Sequence, residues 1–201
     1  MRFKRAWFRG LLRRRIAVIF LLALQKAQSY IFMEYFILDS GLLWDSILEI
    51  LIEKASKGVE VRIIYDDIGC FLTLPSNFAK QLEQHGIKCV AFNPFRPFLS
   101  TSQNNRNHRE ITSIDGKVAF TGGLNLADEY VNLYEKHGYW KDCAVKVEGK
   151  AAWSLTLMFL EMWELCSPMR TAPWMMKMCA SMFICRYSIR QKTMYTLQRL
   201  I

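Results

Sequence analysis

The sequence is poor in histidine and proline, and it has no long apolar run. Three of its 201 residues are histidine and five are proline. The six cysteines form no C-x-x-C pair and no histidine-spaced pattern, which excludes a zinc finger or ribbon. Those in apolar runs (Cys70, Cys89 and Cys143) are predicted to be buried free thiols in a reducing compartment. No run reaches the about 20 apolar residues of a spanning helix, which excludes a polytopic membrane protein.

Acidic residues are absent from both ends of the chain. Residues 1–15 carry seven Lys or Arg and residues 166–201 carry six, with no acid in either range. Residues 16–165 hold 14 basic and 18 acidic side chains, a net charge of −4, although the whole chain is +9. Nucleic-acid enzymes usually carry positive charge on the folded body, so nucleic acid is disfavoured as a partner. Basic ends beside apolar segments fit an anionic membrane surface better.

The N-terminal residues 1–28 are predicted to associate with a membrane. The apolar run Ile16–Leu24 follows the basic stretch, and no small-residue cleavage pattern comes after it. Because nine residues cannot cross a bilayer, we interpret the run as a surface-lying anchor at the cytoplasmic face of the cell membrane. The alternative is a basic amphipathic lead-in to the first helix.

Residues 29–165 are predicted to form one α/β domain, with a central mixed, largely parallel sheet flanked by helices. The predicted strands are Tyr30–Leu38, Val59–Tyr65, Ile87–Phe92 and Trp140–Val147, and the predicted helices are Leu42–Lys57, Ser76–Gln84 and Ala151–Leu165, with a short helix or turn at Ala127–Tyr134. Strands alternating with helices over short links favour parallel pairing with right-handed crossovers.

Two segments depart from this alternation. Asn93–Phe98 places two prolines among aromatic and basic residues, which predicts a loop. The loop is either a membrane-facing substrate mouth or an apolar-packed connection. Residues 166–201 hold six of the ten methionines and three of the cysteines without clean periodicity. They are predicted to be a poorly structured tail, with a membrane-associating segment as the alternative.

The most informative stretch is residues 104–125. His108 leads into alternating apolar positions, and Asp115-Gly116 then separates them from a second apolar run that ends in Gly122-Gly123. Asp-Gly between alternating runs predicts a β-hairpin, because both turn positions tolerate positive φ. His108 and Asp115 should therefore lie at opposite ends of one strand. The two glycines are expected to leave backbone N–H groups bare for an anion.

This stretch resembles the phospholipase D superfamily motif, His-x-Lys-x4-Asp-x6-Gly-Gly/Ser. The motif positions are occupied by His108, Asp115, Gly122, Gly123 and Asn125, with Glu110 where the family has lysine. The surroundings resemble the first catalytic half of a bacterial cardiolipin synthase, notably at residues 30–36, 65–69 and 139–142. The resemblance covers roughly residues 29–165.

The resemblance implies phosphatidyl transfer through a phosphohistidine. His108 would be the nucleophile, since neutral imidazole is available near a pKa of about 6.5. Asp115 would be the carboxylate associated with orienting a catalytic imidazole. The implied phosphate site is lined by Thr121, Gly122, Gly123 and Asn125. The resemblance implies no metal and no other cofactor, and its implied partners are a phosphatidylglycerol-like phospholipid and the membrane surface.

Glu110 is the main departure from the family pattern. The family's lysine pairs with the phosphate, so a glutamate substitutes repulsion for attraction. Strand alternation places Arg109 on the opposite face from His108, where it cannot replace the lysine. Only one motif is present, because His85 and His137 lack its lysine and aspartate partners. A homodimer or a separate second half would have to supply the second histidine.

The sequence thus favours a cardiolipin synthase-like phosphatidyltransferase of phospholipid biosynthesis, incomplete in this chain. One alternative is a catalytically silent fragment. Another is a single-motif dimeric phosphodiesterase or nuclease, against which the acidic body counts. Asp66, Asp67 and Asp142 stand at predicted strand ends, where they are either site residues or solvated turn residues.

Overall fold

A computed structural model describes residues 15–95, 101–136 and 138–167, and these residues form a six-stranded sheet flanked by helices. The helices are α1 Arg15–Gln25, α2 Leu42–Ser56, α3 Phe78–Glu83 and α4 Lys150–Cys166. The strands are β1 Tyr30–Tyr35, β2 Glu60–Asp66, β3 Lys88–Phe92, β4 Glu110–Ile114, β5 Val118–Gly122 and β6 Ala144–Glu148. Single turns of 3₁₀ helix lie at Thr101–Asn104 and Asp128–Val131.

The sheet is mixed, as predicted, with the strand order β3-β2-β1-β4-β5-β6. The pairs β1–β2 and β2–β3 are parallel. The expectation of a largely parallel sheet is wrong beyond them, since the pairs β1–β4, β4–β5 and β5–β6 are antiparallel. The physical reason is that β4 and β5 are joined by a turn of only three residues, Asp115–Lys117, which permits only antiparallel pairing, whereas parallel neighbours need a long crossover.

The two faces of the sheet are covered by different helices. On one face, α1, α2 and α3 bury a single apolar cluster with the strand residues Ile31, Met33 and Ile63. On the other face, the ring of Phe159 from α4 stacks on Phe32 with the centroids 4.9 Å apart. Because successive strand residues point to opposite faces, the aromatic strand β1 supplies apolar side chains to both layers.

Helix α2 begins where the sequence predicts and ends one residue before the predicted end, at Ser56. Its apolar side chains recur at helical spacing and are buried at Leu43, Trp44, Ile47, Ile50 and Leu51. Asp128 accepts hydrogen bonds from the backbone N–H groups of Leu42 and Leu43, so it satisfies two donors at the amino end. After the carboxyl end, Gly58 has a φ of 85°, which favours glycine.

Two local predictions need correction, and a third is confirmed. The residue that precedes α3 is Asn77 rather than Ser76, and its side chain makes no capping hydrogen bond. Cys143 is exposed because it lies in the loop before β6, whereas Cys70 and Cys89 are buried as predicted. The short helix or turn predicted at Ala127–Tyr134 is confirmed as one 3₁₀ turn, Asp128–Val131.

Helix α1 packs one side onto the domain. Ala17, Phe20, Leu21 and Leu24 are buried in the apolar cluster, while Ile19 and Leu22 are 46% and 44% exposed. Within the described part of the chain, none of the helices combines the length and apolar character that crossing a bilayer requires. A membrane role for residues 1–28 stays a prediction. Residues 1–14, Arg96 to Phe98 of the proline-rich loop, His137 and tail residues 168–201 lie outside the described residues.

Candidate active site

The antiparallel arrangement of β1, β4, β5 and β6 brings most of the motif to one edge of the sheet. The carboxyl ends of β1 and β5 meet the amino ends of β4 and β6 there. His108 lies two residues before Glu110, the first residue of β4. Glu110 pairs with Gly122 of β5. Gly123 and Asn125 follow within three residues. This edge gathers His108, Glu110, Gly122, Gly123 and Asn125.

His108 is exposed and lies flat on an aromatic ring. Its imidazole stacks on Phe36, the residue after β1, with the ring centroids 3.8 Å apart and an interplanar angle of 25°. The Phe36 ring covers one face of the imidazole, while the His108 side chain as a whole stays exposed. An exposed, oriented imidazole is the arrangement that a nucleophilic histidine needs.

Asp66, one of the acids at predicted strand ends, is fully buried and supports the segment before His108. It accepts hydrogen bonds from the backbone N–H of Asn107 at 3.0 Å, from Nη1 of Arg106 at 3.2 Å and from the backbone N–H of Gly69 at 3.0 Å. Asp67 accepts a hydrogen bond from the backbone N–H of Phe95. Both carboxylates therefore hold loops at the site edge.

Glu110 is buried against α1 and carries a strongly perturbed carboxyl group. It is 8% exposed and borders a cavity of about 20 Å³, room for about one water molecule. The cavity lining includes Ile16, Ala17, Phe20, Tyr35, Leu43 and Phe120. Burial is the main reason that the pKa of Glu110 is raised to about 7; a hydrogen bond with its own backbone opposes this rise, and the nearby carboxylates of Asp142 and Glu34 add to it. The carboxyl is consequently close to half protonated at neutral pH.

Asp115 lies at the other end of β4, as the hairpin pattern predicts. It lies seven positions after His108, a distance of about 23 Å along extended chain. Its carboxylate accepts hydrogen bonds from the backbone N–H groups of Gln28 at 2.9 Å, Ser29 at 2.7 Å and Tyr30 at 2.9 Å. These contacts tie the hairpin turn to the start of β1. Its implied action on a catalytic imidazole stays a prediction, and the contacts within this chain are structural.

Gly122 and Gly123 are required by the close approach of the chain leading into β6. A Cβ atom at Gly122 would lie 2.3 Å from the carbonyl oxygen of Cys143, and one at Gly123 would lie 2.7 Å from Oδ1 of Asp142. The backbone N–H of Gly123 donates to Cys143 O at 3.2 Å. The expectation that this N–H is bare for an anion is therefore wrong, because β6 extends the sheet past β5.

Thr121 and Asn125 complete the implied phosphate site. Thr121 is half-buried and pairs with Ile111 on one side and Val145 on the other. Asn125 is buried, and its Oδ1 accepts a hydrogen bond from the backbone N–H of Ile37 at 2.8 Å. Both residues lie at the site edge, and phosphate binding by Thr121, Gly122, Gly123 and Asn125 stays a prediction.

Sequence reasoning missed Phe36 and Glu34 as members of the site. Glu34 had a signal, since a lone carboxylate inside the aromatic strand Tyr30–Tyr35 must be buried and therefore paired. Phe36 gave no signal in the sequence, because its contact with His108 joins residues 72 positions apart.

Asp142 accepts hydrogen bonds from Trp140 Nε1 and from the backbone N–H of Cys143, beside Gly123. It thus joins the site edge.

The remaining candidates do not extend the site. His85 is exposed after α3, and His137 lies outside the described residues. Among residues 15–95, 101–136 and 138–167, no group of three or more His, Cys, Asp or Glu side chains is placed to hold a metal ion.

Comparison with known proteins identifies relatives of this arrangement. The family model described as "Cardiolipin synthase, PLD-like domain" matches residues 20–154. An uncharacterized protein of Streptococcus mutans is 55% identical over 141 residues, covering 70% of this chain and 31% of that protein. A cardiolipin synthase of Alkalihalophilus pseudofirmus is 42% identical over 143 residues, covering 71% of this chain and 28% of that enzyme. The chain thus spans less than a third of these relatives' length.

Two solved structures share the fold at low sequence identity. NucT from Helicobacter pylori superposes with a TM-score of 0.57 at 16% identity, covering 77% of this chain and 92% of that chain. The phosphatidylserine synthase of Haemophilus influenzae gives a TM-score of 0.58 at 12% identity, covering 74% of this chain and 34% of that chain. At these identities the likeness establishes the phospholipase D-like fold alone.

Proposed function

We propose, since this chain belongs to the family of cardiolipin synthase phospholipase D-like domains, that it forms one catalytic half of a phosphatidyltransferase of phospholipid biosynthesis. The observation that carries the proposal is the exposed imidazole of His108, stacked on Phe36 at the sheet edge that also holds Gly122 and Gly123. This sequence contains one motif, whereas transfer needs a second imidazole. A second copy of the chain or a separate second half would have to supply that imidazole.

In the proposed reaction, the free imidazole nitrogen of His108 attacks the phosphorus of a phosphatidylglycerol-like diester. A P–N bond forms while the P–O bond to the leaving alcohol breaks, and the second imidazole gives that alcohol a proton. An incoming alcohol then loses its proton to the same imidazole and attacks phosphorus. The P–N bond breaks, and His108 is regenerated.

A patch of exposed apolar side chains supports a lipid substrate at this site. Ile68, Phe71, Leu72 and Phe95, here called the apolar lip, are 40%, 62%, 93% and 49% exposed. They line an open depression of about 430 Å³, and the rings of Phe71 and Phe95 lie 6.0 Å apart. Exposed apolar clusters of this kind favour contact with lipid or protein over polynucleotide.

The apolar lip is connected to His108 through Phe36. Gly69, inside the lip loop, packs so closely that a Cβ atom there would lie 2.9 Å from two carbons of the Phe36 ring. Cys70 donates a hydrogen bond from its Sγ to the carbonyl oxygen of Phe36. Phe36 in turn carries the imidazole of His108. The lip is thus suited to receive the acyl region of a phospholipid, in a membrane surface, while the phosphate meets His108.

Glu110 limits this activity in the proposed function. A lysine about 4 Å from the phosphate contributes about 4 kcal/mol at an effective dielectric of about 20. Its loss corresponds to about a thousandfold in rate, since 1.36 kcal/mol is about tenfold. Protonation of Glu110 removes the repulsion from the phosphate but supplies no cation. We therefore expect phosphoryl transfer to His108 to be slow in this chain.

Phosphohistidine trapping with labelled phosphatidylglycerol vesicles tests the proposal. We expect little label on the native chain, a large increase in Glu110→Lys, and a much smaller increase in Glu110→Gln, because a neutral side chain removes the repulsion but still lacks the cation. His108→Ala in the Glu110→Lys background must abolish the label. Absence of label from Glu110→Lys would refute Glu110 as the obstacle. Transfer from labelled single-stranded DNA instead of lipid would support the phosphodiesterase alternative.

A further inference from the structure

The segment that carries His108 has no regular secondary structure, yet two buried carboxylates fix it. Residues 105–109 lie between a 3₁₀ turn and β4. Glu34 of β1 and Asp66 of β2 approach them from adjacent parallel strands, and both are 0% exposed. Asp66 binds the backbone and side chains on the amino-terminal side of His108, as described above. Glu34 binds both sequence neighbours of His108.

The contacts of Glu34 are all made through one oxygen. Its Oε1 accepts hydrogen bonds from Nδ2 of Asn107 at 2.5 Å, and from Nε and Nη2 of Arg109 at 2.9 and 2.7 Å. Asn107 and Arg109 flank His108 in the sequence, so one carboxylate oxygen binds the residues on both sides of the histidine. Together, Glu34, Asn107 and Arg109 are here called the Glu34 cluster. It fixes the two residues next to His108.

The same strand provides the surface on which the imidazole rests. Phe36 is two residues after Glu34 and follows β1 directly. Its ring stacks on the imidazole of His108 at 3.8 Å. Glu34 therefore binds the residues on both sides of His108, and Phe36 contacts the ring itself. A change at Glu34 would move the imidazole relative to Phe36, even though Glu34 does not touch it.

The Glu34 cluster is a poor arrangement for stability alone. The second oxygen of Glu34, Oε2, is buried without a hydrogen-bond partner among the described residues. Burying a carboxylate that is only partly satisfied is costly, and apolar residues of similar size are often at least as stabilising. The position of this buried ionic cluster next to the exposed imidazole therefore points to a role in fixing the geometry of His108.

We propose that Glu34 is a positioning residue for His108, which holds Asn107 and Arg109 so that the imidazole stays stacked on Phe36. The inference rests on the proposed function only for the identity of His108 as the nucleophile. The positional effect on the ring is independent of any reaction. A displacement of about 1 Å can cost about a hundredfold in rate, so the cluster matters for transfer as well.

The test is NMR spectroscopy of the full chain with isotope-labelled histidine. The ring signals of His108, assigned through their loss in His108→Gln, should be shifted upfield by Phe36, and Phe36→Leu should remove that shift. We expect Glu34→Ala to move the signals towards those of the exposed His85, and Glu34→Gln to restore them in large part, since the amide oxygen can replace Oε1.

Glu129→Ala is the matched control. Glu129 is also buried, with one oxygen bound to Lys136 and the other without a partner among the described residues. Its loss removes a comparable buried charge and should leave the His108 signals unchanged. Equal shifts in Glu34→Ala and Glu129→Ala would overturn the proposal, as would unchanged His108 signals in a folded Glu34→Ala protein.

Arg109→Met keeps the test decisive if Glu34→Ala does not fold. It removes two of the three hydrogen bonds to Glu34 at a half-exposed position, and we expect a shift in the same direction. Unchanged signals there would again overturn the proposal. In the Glu110→Lys background, Glu34→Ala should lower phosphohistidine formation about a hundredfold at saturating lipid. Because the NMR readout needs no lipid, a failure of the labelling experiment alone would count against the proposed function and not against this inference.

Discussion

Replacing Glu110 by glutamine should make the protein more stable at high pH and change its stability little at low pH. In the folded protein, burial raises the pKa of Glu110 to about 7 from an ordinary value of 4.5. In the unfolded chain the carboxyl ionises near the ordinary value. Between these values the unfolded state loses the proton more readily, so the free energy of unfolding falls as pH rises. Glutamine is a neutral isostere that has no such dependence.

The size of the effect follows from the separation of the two pKa values. A difference of about 2.5 units corresponds to about 3 kcal/mol, because each unit is worth 1.36 kcal/mol. The cost is nearly absent below pH 4.5, grows between pH 4.5 and 7, and is complete above pH 7. Relative to the native chain, Glu110→Gln should therefore gain about 2.5 kcal/mol more at pH 8 than at pH 5.

Urea unfolding of both proteins at pH 5, 6, 7 and 8 measures this difference. Glu49→Gln is the matched control, because it removes the same charge from an exposed position on α2. The free-energy difference between Glu110→Gln and native protein should grow with pH, whereas that of the control should not grow comparably. A difference that stays constant within about 0.5 kcal/mol from pH 5 to pH 8 would refute the burial of an ionisable Glu110.

Two further predictions concern the hairpin turn. Asp115→Ala should lower the free energy of unfolding by about 3 kcal/mol in urea titration, because it removes the acceptor for three backbone N–H groups. Asp115→Asn keeps one acceptor oxygen and should lower the free energy of unfolding by less. Equal losses in the two variants would contradict the assignment of this stability to the hydrogen bonds. Gly116→Ala and Gly58→Ala both place a side chain at positive φ, but a Cβ atom at Gly116 would lie 2.6 Å from the Trp153 ring, whereas Gly58 has open space around it. Gly116→Ala should therefore cost about 2 kcal/mol more in the same titration, and equal costs would show that the ring yields.

The hairpin was predictable because its signal is local. Asp115 and Gly116 both have positive φ, at 52° and 63°, as the turn requires. The alternating residues on either side pair in the register that the turn sets, with Ile114 opposite Val118. The helices and the first three strands were predictable for the same reason, since their periodicity is contained in one segment.

The direction of the later strands was harder to predict. The alternation of strands and helices up to residue 92 is a correct guide to β1, β2 and β3, which are parallel. It does not apply to β4, which reaches the edge of β1 from the opposite direction and brings two more antiparallel neighbours with it. Sequence spacing does not specify which side of β1 accepts a new strand, so the parallel expectation was extended too far.

The amino-acid sequence by itself determined the family, the hairpin and the position of His108 before β4, because motif spacing and turn chemistry act between neighbouring residues. The tertiary structure decided what surrounds those residues. It buries Glu110 against α1, gives the Asp115 carboxylate to the start of β1, and uses the N–H of Gly123 in the sheet. These contacts join residues far apart in the chain, and burial and charge at such contacts depend on how the whole sheet and its helices pack. The motif therefore names the chemistry, and the packing sets how Glu110 and Glu34 influence it.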